Sequence, residues 1–240
     1  MKGTEMTTSP SPLGSGAMFD AIADRYDLLN RIISLGIDQR WRRLTVQRLE
    51  LGADPRVLDL ATGTGDLALL IARTHPDAHV VGVDPSRNML AIGASKVDEA
   101  GLAERVEMKE GDAHHLPFED DTFDAATIAF GIRNVPDRAL GLRELARVTK
   151  PGGRVGILEL SEPRAGIMGA FARFHVHHVV PTIGALLSGK KEYRYLQKSI
   201  AAFPPPDEFA ALMKENGFAE VDVVSLTFGT CALFVGRVPS

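Results

Sequence analysis

The 240-residue chain has a single cysteine, Cys231. No intrachain disulfide can form, and an oxidising compartment gains no support, so a cytoplasmic location is expected. Long apolar runs are also missing. The nearest candidate, residues 166–189, is interrupted by Arg173, three histidines and Pro181. It falls short of the roughly eighteen uncharged apolar residues that a bilayer span needs. The opening stretch MKGTEMTTSPSPLGSGAM lacks an apolar h-region, so residues 1–17 are expected to be a flexible leader and not a secretory signal. There is no excess of positive charge either. The formal net charge is −4, so a nucleic-acid partner would require a local basic patch.

What is present is ordinary globular material: 45% hydrophobic and 24% charged residues, enough for a sizeable core. Residues 18–240 are expected to form one domain. Phe19, Ile22, Tyr26, Leu29 and Ile33 recur at helical spacing, and DQRWRRLTVQRLEL follows with Asp38 as its expected N-cap. These make an N-terminal helical cap over 18–51. From Arg56 strands and helices alternate: RVLDLA, GDLALLIARTH, HVVGVD, RNMLAIGASKVDEAG, RVEMKEGD, FDAATIAFG, RALGLRELARVTK, GGRVGILELS. Such alternation predicts an α/β fold, a mostly parallel sheet with helices on both faces. A helical insertion is expected over 162–203. A helix in PPPDEFAALMKENGF and a terminal two-strand hairpin around Gly229 then close the chain.

The turn after the first strand raises the question of function. Gly63, Gly65 and Ala68 fit the G-x-G-x-x-A pattern, and Asp84 ends the second strand about twenty residues on, as a dinucleotide site requires. An NAD-dependent oxidoreductase is therefore a competitor. Asp59, just before the turn, weighs against it, because a carboxylate there opposes a pyrophosphate. A cationic, phosphate-free ligand suits it better, its ammonium held directly or through water. S-adenosylmethionine is such a ligand, with Asp84 accepting from the ribose hydroxyls. Asp112, at the third strand's end, could accept from the adenine amino group while the Ala113 N–H donates to the ring. The bland reading of Asp112 is a turn cap. Three acids along the edge where α/β sheets bind ligands favour the donor.

Four segments carry a family resemblance: YDLLNRIISLGIDQRWRR (26–43), LDLATGTGD, FGIRNVPD (130–137) and RVTKPGGRVGILELSEP (147–163). They resemble the quinone-biosynthesis C-methyltransferases, the demethylmenaquinone methyltransferases and their ubiquinone-pathway relatives. The resemblance implies a Rossmann-like fold with a seven-stranded sheet and a terminal antiparallel hairpin. It implies S-adenosylmethionine as methyl donor and a prenylated quinol as acceptor. Demethylmenaquinol is favoured, with the 2-polyprenyl-6-methoxy-1,4-benzoquinol of the ubiquinone pathway as the alternative. Thr64, Asp84, Asp112 and Ala113 match the family's donor contacts, and Asp59, Gly63 and Gly65 its donor loop. Met89 is counted with the donor contacts. Arg133 and Asn134 match the pair facing methyl transfer, and Tyr26 the tyrosine that closes over the donor. Thr62 and Ala129 depart from the family's usual residues, and a donor contact often made by serine at position 129 is not carried over.

Arg133 can stabilise a phenolate but cannot serve as a free base. His114, His115, His175, His177 and His178 are the candidate bases. HVHH suggests a metal, but no cysteine or acid follows at ligand spacing, so no metal is expected. Tyr193 and Tyr195 could line the acceptor site, although helix packing suits them better. Cys231 is expected to be a small core residue far from the catalytic edge, which argues against pyrimidine C5 methylation. Exocyclic-amine enzymes need an Asn/Asp-Pro-Pro-aromatic turn where this chain has AFGIRNVPD, so no nucleic acid is expected. A donor-binding regulator would share the glycines without needing Arg133 and Asn134. The apolar stretch within the insertion and the basic RWRRL (40–44) suggest peripheral contact with the inner face of the membrane, with a solvated helix face as the plainer reading. A homodimer is compatible with the sequence.

Overall fold

In the computed structural model the described residues are 20, 23, 31, 34, 36–161 and 190–240. Most of the first expected helix, with Tyr26, and residues 162–189 of the insertion, with His175, His177 and His178, lie outside them.

Helix α1 spans Asp38–Leu49 and precedes the alternating part of the chain. There follow β1 (Arg56–Leu60), α2 (Asp66–Thr74), β2 (His79–Asp84), α3 (Arg87–Glu99), β3 (Val106–Glu110), β4 (Phe123–Ala129), α4 (Arg138–Val148) and β5 (Thr149–Leu160). The insertion ends with α5 (Lys190–Ala201), and after it come α6 (Pro206–Glu215), β6 (Glu220–Leu226) and β7 (Cys231–Arg237). Seven strands form one sheet in the order β3-β2-β1-β4-β5-β7-β6. The first five are mutually parallel, and β7 runs antiparallel to β5 on one side and β6 on the other. The expected α/β fold with its terminal antiparallel hairpin is therefore present.

The central strands are buried on both faces, as their continuous Val/Leu/Ile runs require. Along β1, Val57 joins a core with Trp41, Leu67 and Ile71 from α1 and α2, whereas Leu58 joins the opposite core with Leu142, Leu145 and Phe209 from α4 and α6. Period-two alternation thus glues helices to both sides. Each such fully buried side chain contributes about 1.5–3 kcal/mol.

Three expectations need correction. Asp38 is not the N-cap of α1: Ile37 holds that place, and Asp38 lies in the first turn, 2% exposed, accepting from the Ser34 hydroxyl at 2.8 Å. RWRRL is not one exposed patch, because Trp41 and Arg42 point inward at 5% and 6% exposure, leaving only Arg40 and Arg43 in solvent. Cys231 is a core residue, as expected, but it is not remote from the catalytic edge. Because β7 runs backwards, its first residue pairs with Leu160, the last of β5.

Candidate active site

Adjacent parallel strands place Asp59 beside Gly82 of β2 and Thr127 of β4. The carboxylate accepts from Thr127 Oγ1 and Thr62 Oγ1, each at 2.7 Å, and is only 1% exposed. Burial pushes its pKa up to about 6, against the pull of the two hydroxyls and of Arg42. Asp59 therefore holds the following turn to the sheet as well as lending it charge.

That turn runs from Ala61 to Gly65. Gly63 and Gly65 take φ of +57° and +79°, the left-handed region that a side chain disfavours. The Gly63 N–H donates to Asp84 Oδ2 at 2.9 Å, and the other oxygen of Asp84 accepts from the Ser86 N–H at 2.9 Å. Asp84 is 7% exposed, and its pKa is raised by burial and by the charge of Asp20. Ser86 caps α3 by accepting from the Met89 N–H at 3.2 Å, and Met89 packs behind it, 1% exposed. One turn, one acid and one helix start are thus tied together.

Beside the turn lies a small recess that opens to solvent. It is lined by Arg42, Asp59, Ala61, Thr62, Thr64, Asp66, Leu67 and Ala129. Asp66 pairs with Lys96 at 2.7 Å; burial alone would raise its pKa, but Lys96 and then Arg42 outweigh that and lower it. Lys96 also donates to Thr64 Oγ1 at 3.1 Å.

A second group forms where β4 and β5 end. Arg133 sits in a single 3₁₀ turn, Ile132–Asn134. Its guanidinium, 7% exposed, donates at 2.6 Å both to Glu159 Oε1 and to the Phe130 carbonyl. Glu159 is wholly buried and also accepts from the Arg133 and Leu160 backbone N–H groups. Asn134 donates to the Phe130 carbonyl at 3.5 Å and accepts from the Tyr195 hydroxyl at 2.9 Å. Tyr195 therefore does more than pack a helix.

Asp112 and Ala113 stand apart, on the loop after β3. Asp112 Oδ1 accepts from the His114 backbone N–H at 3.0 Å and lies 3.1 Å from His114 Nδ1, so it caps a turn. The Asp112 side chain is still largely exposed. His114 Nε2 in turn accepts from the Asp137 N–H at 3.2 Å, so both ring nitrogens are occupied and a free base is not found there. His115 is exposed.

Sequence reasoning missed Glu159, Arg42 and Thr127. A lone acid inside the apolar run GILEL is itself a signal, since a buried carboxylate needs a partner. The i,i+4 spacing of Asp38 and Arg42 was a second signal.

Comparison with known proteins fixes what this arrangement belongs to. A family model described as the ubiE/COQ5 methyltransferase family matches residues 12–237. The chain belongs to the ubiE/COQ5 methyltransferase family. A relative from Geobacter sulfurreducens, named ubiquinone/menaquinone biosynthesis C-methyltransferase UbiE, is 48% identical over 92% of this chain and 86% of its own length. A demethylmenaquinone methyltransferase from Thermus thermophilus is 48% identical over 92% of this chain and all of its own. At the level of fold, a SAM-dependent methyltransferase from Aquifex aeolicus superposes with a TM-score of 0.59 at 19% identity, covering 82% of this chain and 89% of that one. The ubiE/COQ5 assignment takes in both groups of residues described above.

Proposed function

We propose that this protein transfers a methyl group from S-adenosylmethionine to a ring carbon of a prenylated quinol, converting demethylmenaquinol to menaquinol. One observation carries the donor reading: the glycine turn is surrounded by carboxylates. Asp59 lies beneath it, Asp84 holds the Gly63 amide, and Asp66 opens the helix whose N-terminus would otherwise receive a pyrophosphate. A phosphate-bearing dinucleotide meets repulsion there, whereas a donor with an ammonium and a sulfonium finds counter-charge. The residues present fit that donor: Asp59 and Thr64 at its amino-acid end, Gly63 and Gly65 against its backbone-facing edge, Asp84 at the ribose, Met89, Asp112 and Ala113 at the adenine. Tyr26 belongs to the same proposal as a residue closing over the donor.

When bound, the donor would supply an electrophilic sulfonium methyl: the ring carbon–methyl bond would form as the sulfur–methyl bond breaks, leaving a neutral thioether, with the ring proton passing to water. The chain's task is alignment and stabilisation of charge on the quinol oxygen. Arg133 is held in one rotamer by Glu159 and the Phe130 carbonyl, so its donors are preorganised. Burial pushes the Tyr195 hydroxyl up, with Arg133 and Arg138 pulling it back, so near neutral pH it stays protonated. It serves as a donor that fixes the Asn134 amide. Cys231 takes no part, since burial pushes its thiol well above the usual range.

An acceptor with an isoprenoid tail resides in lipid, and the proposal includes peripheral contact of a cytoplasmic protein with the membrane's inner face. What supports it is the exposed Phe228, 62% accessible at the β6–β7 connection, on the edge where the parallel strands end. Arg40 and Arg43 are exposed on α1, which is bonded to that connection through Trp41 Nε1 and Thr227 Oγ1 at 3.0 Å. No helix among the described residues is long and apolar enough to cross a membrane.

The test is incubation with methyl-labelled S-adenosylmethionine and reduced demethylmenaquinone, with reduced 2-polyprenyl-6-methoxy-1,4-benzoquinone as competitor. Label should enter the menaquinone fraction, and no label with reduced acceptor verified defeats the proposal. Preferential labelling of the benzoquinol would move the enzyme to the ubiquinone branch. A paired Arg133→Gln/Glu159→Gln variant belongs in the same assay, because Arg133→Ala alone strands a buried carboxylate at a cost of about 3–5 kcal/mol. The pair should keep donor affinity while turnover falls roughly 100-fold or more.

A further inference from the structure

Arg42 is a buried cation, ion-paired with Asp38, whose Nε has no hydrogen-bond acceptor among the described residues. It is 6% exposed, lines the recess with Asp59, Thr62, Thr64 and Asp66, and among the described residues its guanidinium makes no hydrogen bond. Its Nε is sealed from water and lies 3.6 Å from Asp38 Oδ2, outside bonding distance. That oxygen already accepts from the Gln39 amide at 3.2 Å, and the other accepts from Ser34. The guanidinium lies over the Phe130 ring at 5.2 Å, which restrains its plane. A buried donor such as this Nε is unfavourable until an acceptor arrives.

We infer that Arg42 binds the α-carboxylate of the donor's amino-acid moiety. The inference rests on the donor reading above and adds a specificity-determining residue to it. The recess brings two acids and one guanidinium to a single small space, which is the charge pattern of a bound zwitterion. Asp59 is the counter-charge for the ammonium, and Arg42 offers a planar fork that matches a carboxylate. The phenyl face of Phe130 keeps that fork from turning away. The pairing with Asp38 at 3.6 Å balances charge without supplying a hydrogen-bond acceptor, so the guanidinium keeps its donors for a ligand.

The discriminating ligand is decarboxylated S-adenosylmethionine, which keeps the adenosine, sulfonium and ammonium and lacks only the carboxylate. Calorimetric titration of the full chain should give S-adenosylmethionine a lower Kd than its decarboxylated form by roughly 10- to 100-fold. In Arg42→Met the ratio should collapse to near one, through weaker binding of the carboxylate-bearing ligand alone. Arg42→Lys should retain part of it. Equal Kd values for the two ligands on the unaltered protein overturn the assignment while leaving the donor reading intact. Equal weakening of both ligands in Arg42→Met overturns it too, showing a structural role. Should Arg42→Met fail to fold, the unaltered protein and Arg42→Lys decide. Binding of neither ligand to the unaltered protein defeats the donor reading, and the assignment with it.

Discussion

Asp59 carries a carboxylate almost sealed from water, and its titration has two consequences of opposite sign. Its pKa stands at about 6 in the folded protein against an ordinary 3.8, chiefly because burial penalises the charge. Between those values the folded chain holds a proton that the unfolded chain has released. The stability this group contributes is therefore full below about pH 4 and is lost as pH rises through about 6. Ligand binding runs the other way, since the donor's ammonium requires the carboxylate. Donor Kd should fall as pH rises through about 6 and level off above it, by up to about tenfold per unit in the steep region. Calorimetry in buffers of different ionisation enthalpy should record proton release on binding near pH 6. Asp59→Asn should flatten the profile, and a profile unchanged by that substitution would show that Asp59 does not face the ammonium. The acid's position was legible from the sequence, since a charge in the strand LDLA asks for a reason. Its hydrogen-bonding to Thr127 was not, because that contact depends on which strand lies beside β1.

Among the elements, the glycine turn is the piece that Asp59 and Asp84 both hold, and a neighbouring strand limits its position. A Cβ at Gly82 of β2 would meet Thr62 Cγ2 and Oγ1 at 2.9 Å and Met108 Sδ at 3.0 Å. Methionine can swing aside, but Thr62 is committed to Asp59. Gly82→Ala should displace that hydroxyl, cost about 1–3 kcal/mol in denaturant unfolding, and weaken donor binding. Destabilisation with donor Kd unchanged would uncouple the turn's placement from the ligand. The same elements show why the sequence was readable in part. The strands announced themselves by apolar runs and the helices by periodicity, whereas the caps that form, Ser86 and Asp137, went unread. The insertion of β7 between β5 and β6 is a long-range choice with no local signature. That choice brings Cys231 to the site-bearing edge and misled the sequence-based placement. Arg42 went unrecognised for a related reason. A run of three arginines reads as a solvated face, yet helical geometry turns every third or fourth position inward.

At the scale of the whole molecule, the parallel strands bring both groups of residues to one edge, and the exposed apolar and basic residues gather beside them. Phe228 is held in an uncommon left-handed conformation, φ +58°, between Thr227 and Gly229, which are also at positive φ. A strained tip that exposes its only aromatic ring is costly unless something covers it. Under the membrane contact proposed above, the covering surface would be lipid, and the basic residues nearby should draw the edge to anionic headgroups. Each such arginine is worth about 1 kcal/mol at a negatively charged surface. Arg40→Gln/Arg43→Gln should therefore weaken partitioning onto phosphatidylglycerol-containing vesicles about 30-fold, measured by sedimentation. Partitioning onto pure phosphatidylcholine should scarcely change. Phe228→Ser should lower binding to both vesicle types, since it removes buried apolar area and no charge. Donor affinity should survive in both variants, because none of these residues lines the recess. If every variant sediments with vesicles as the unaltered protein does, the acceptor must reach Arg133 by a route that does not involve this edge resting on lipid.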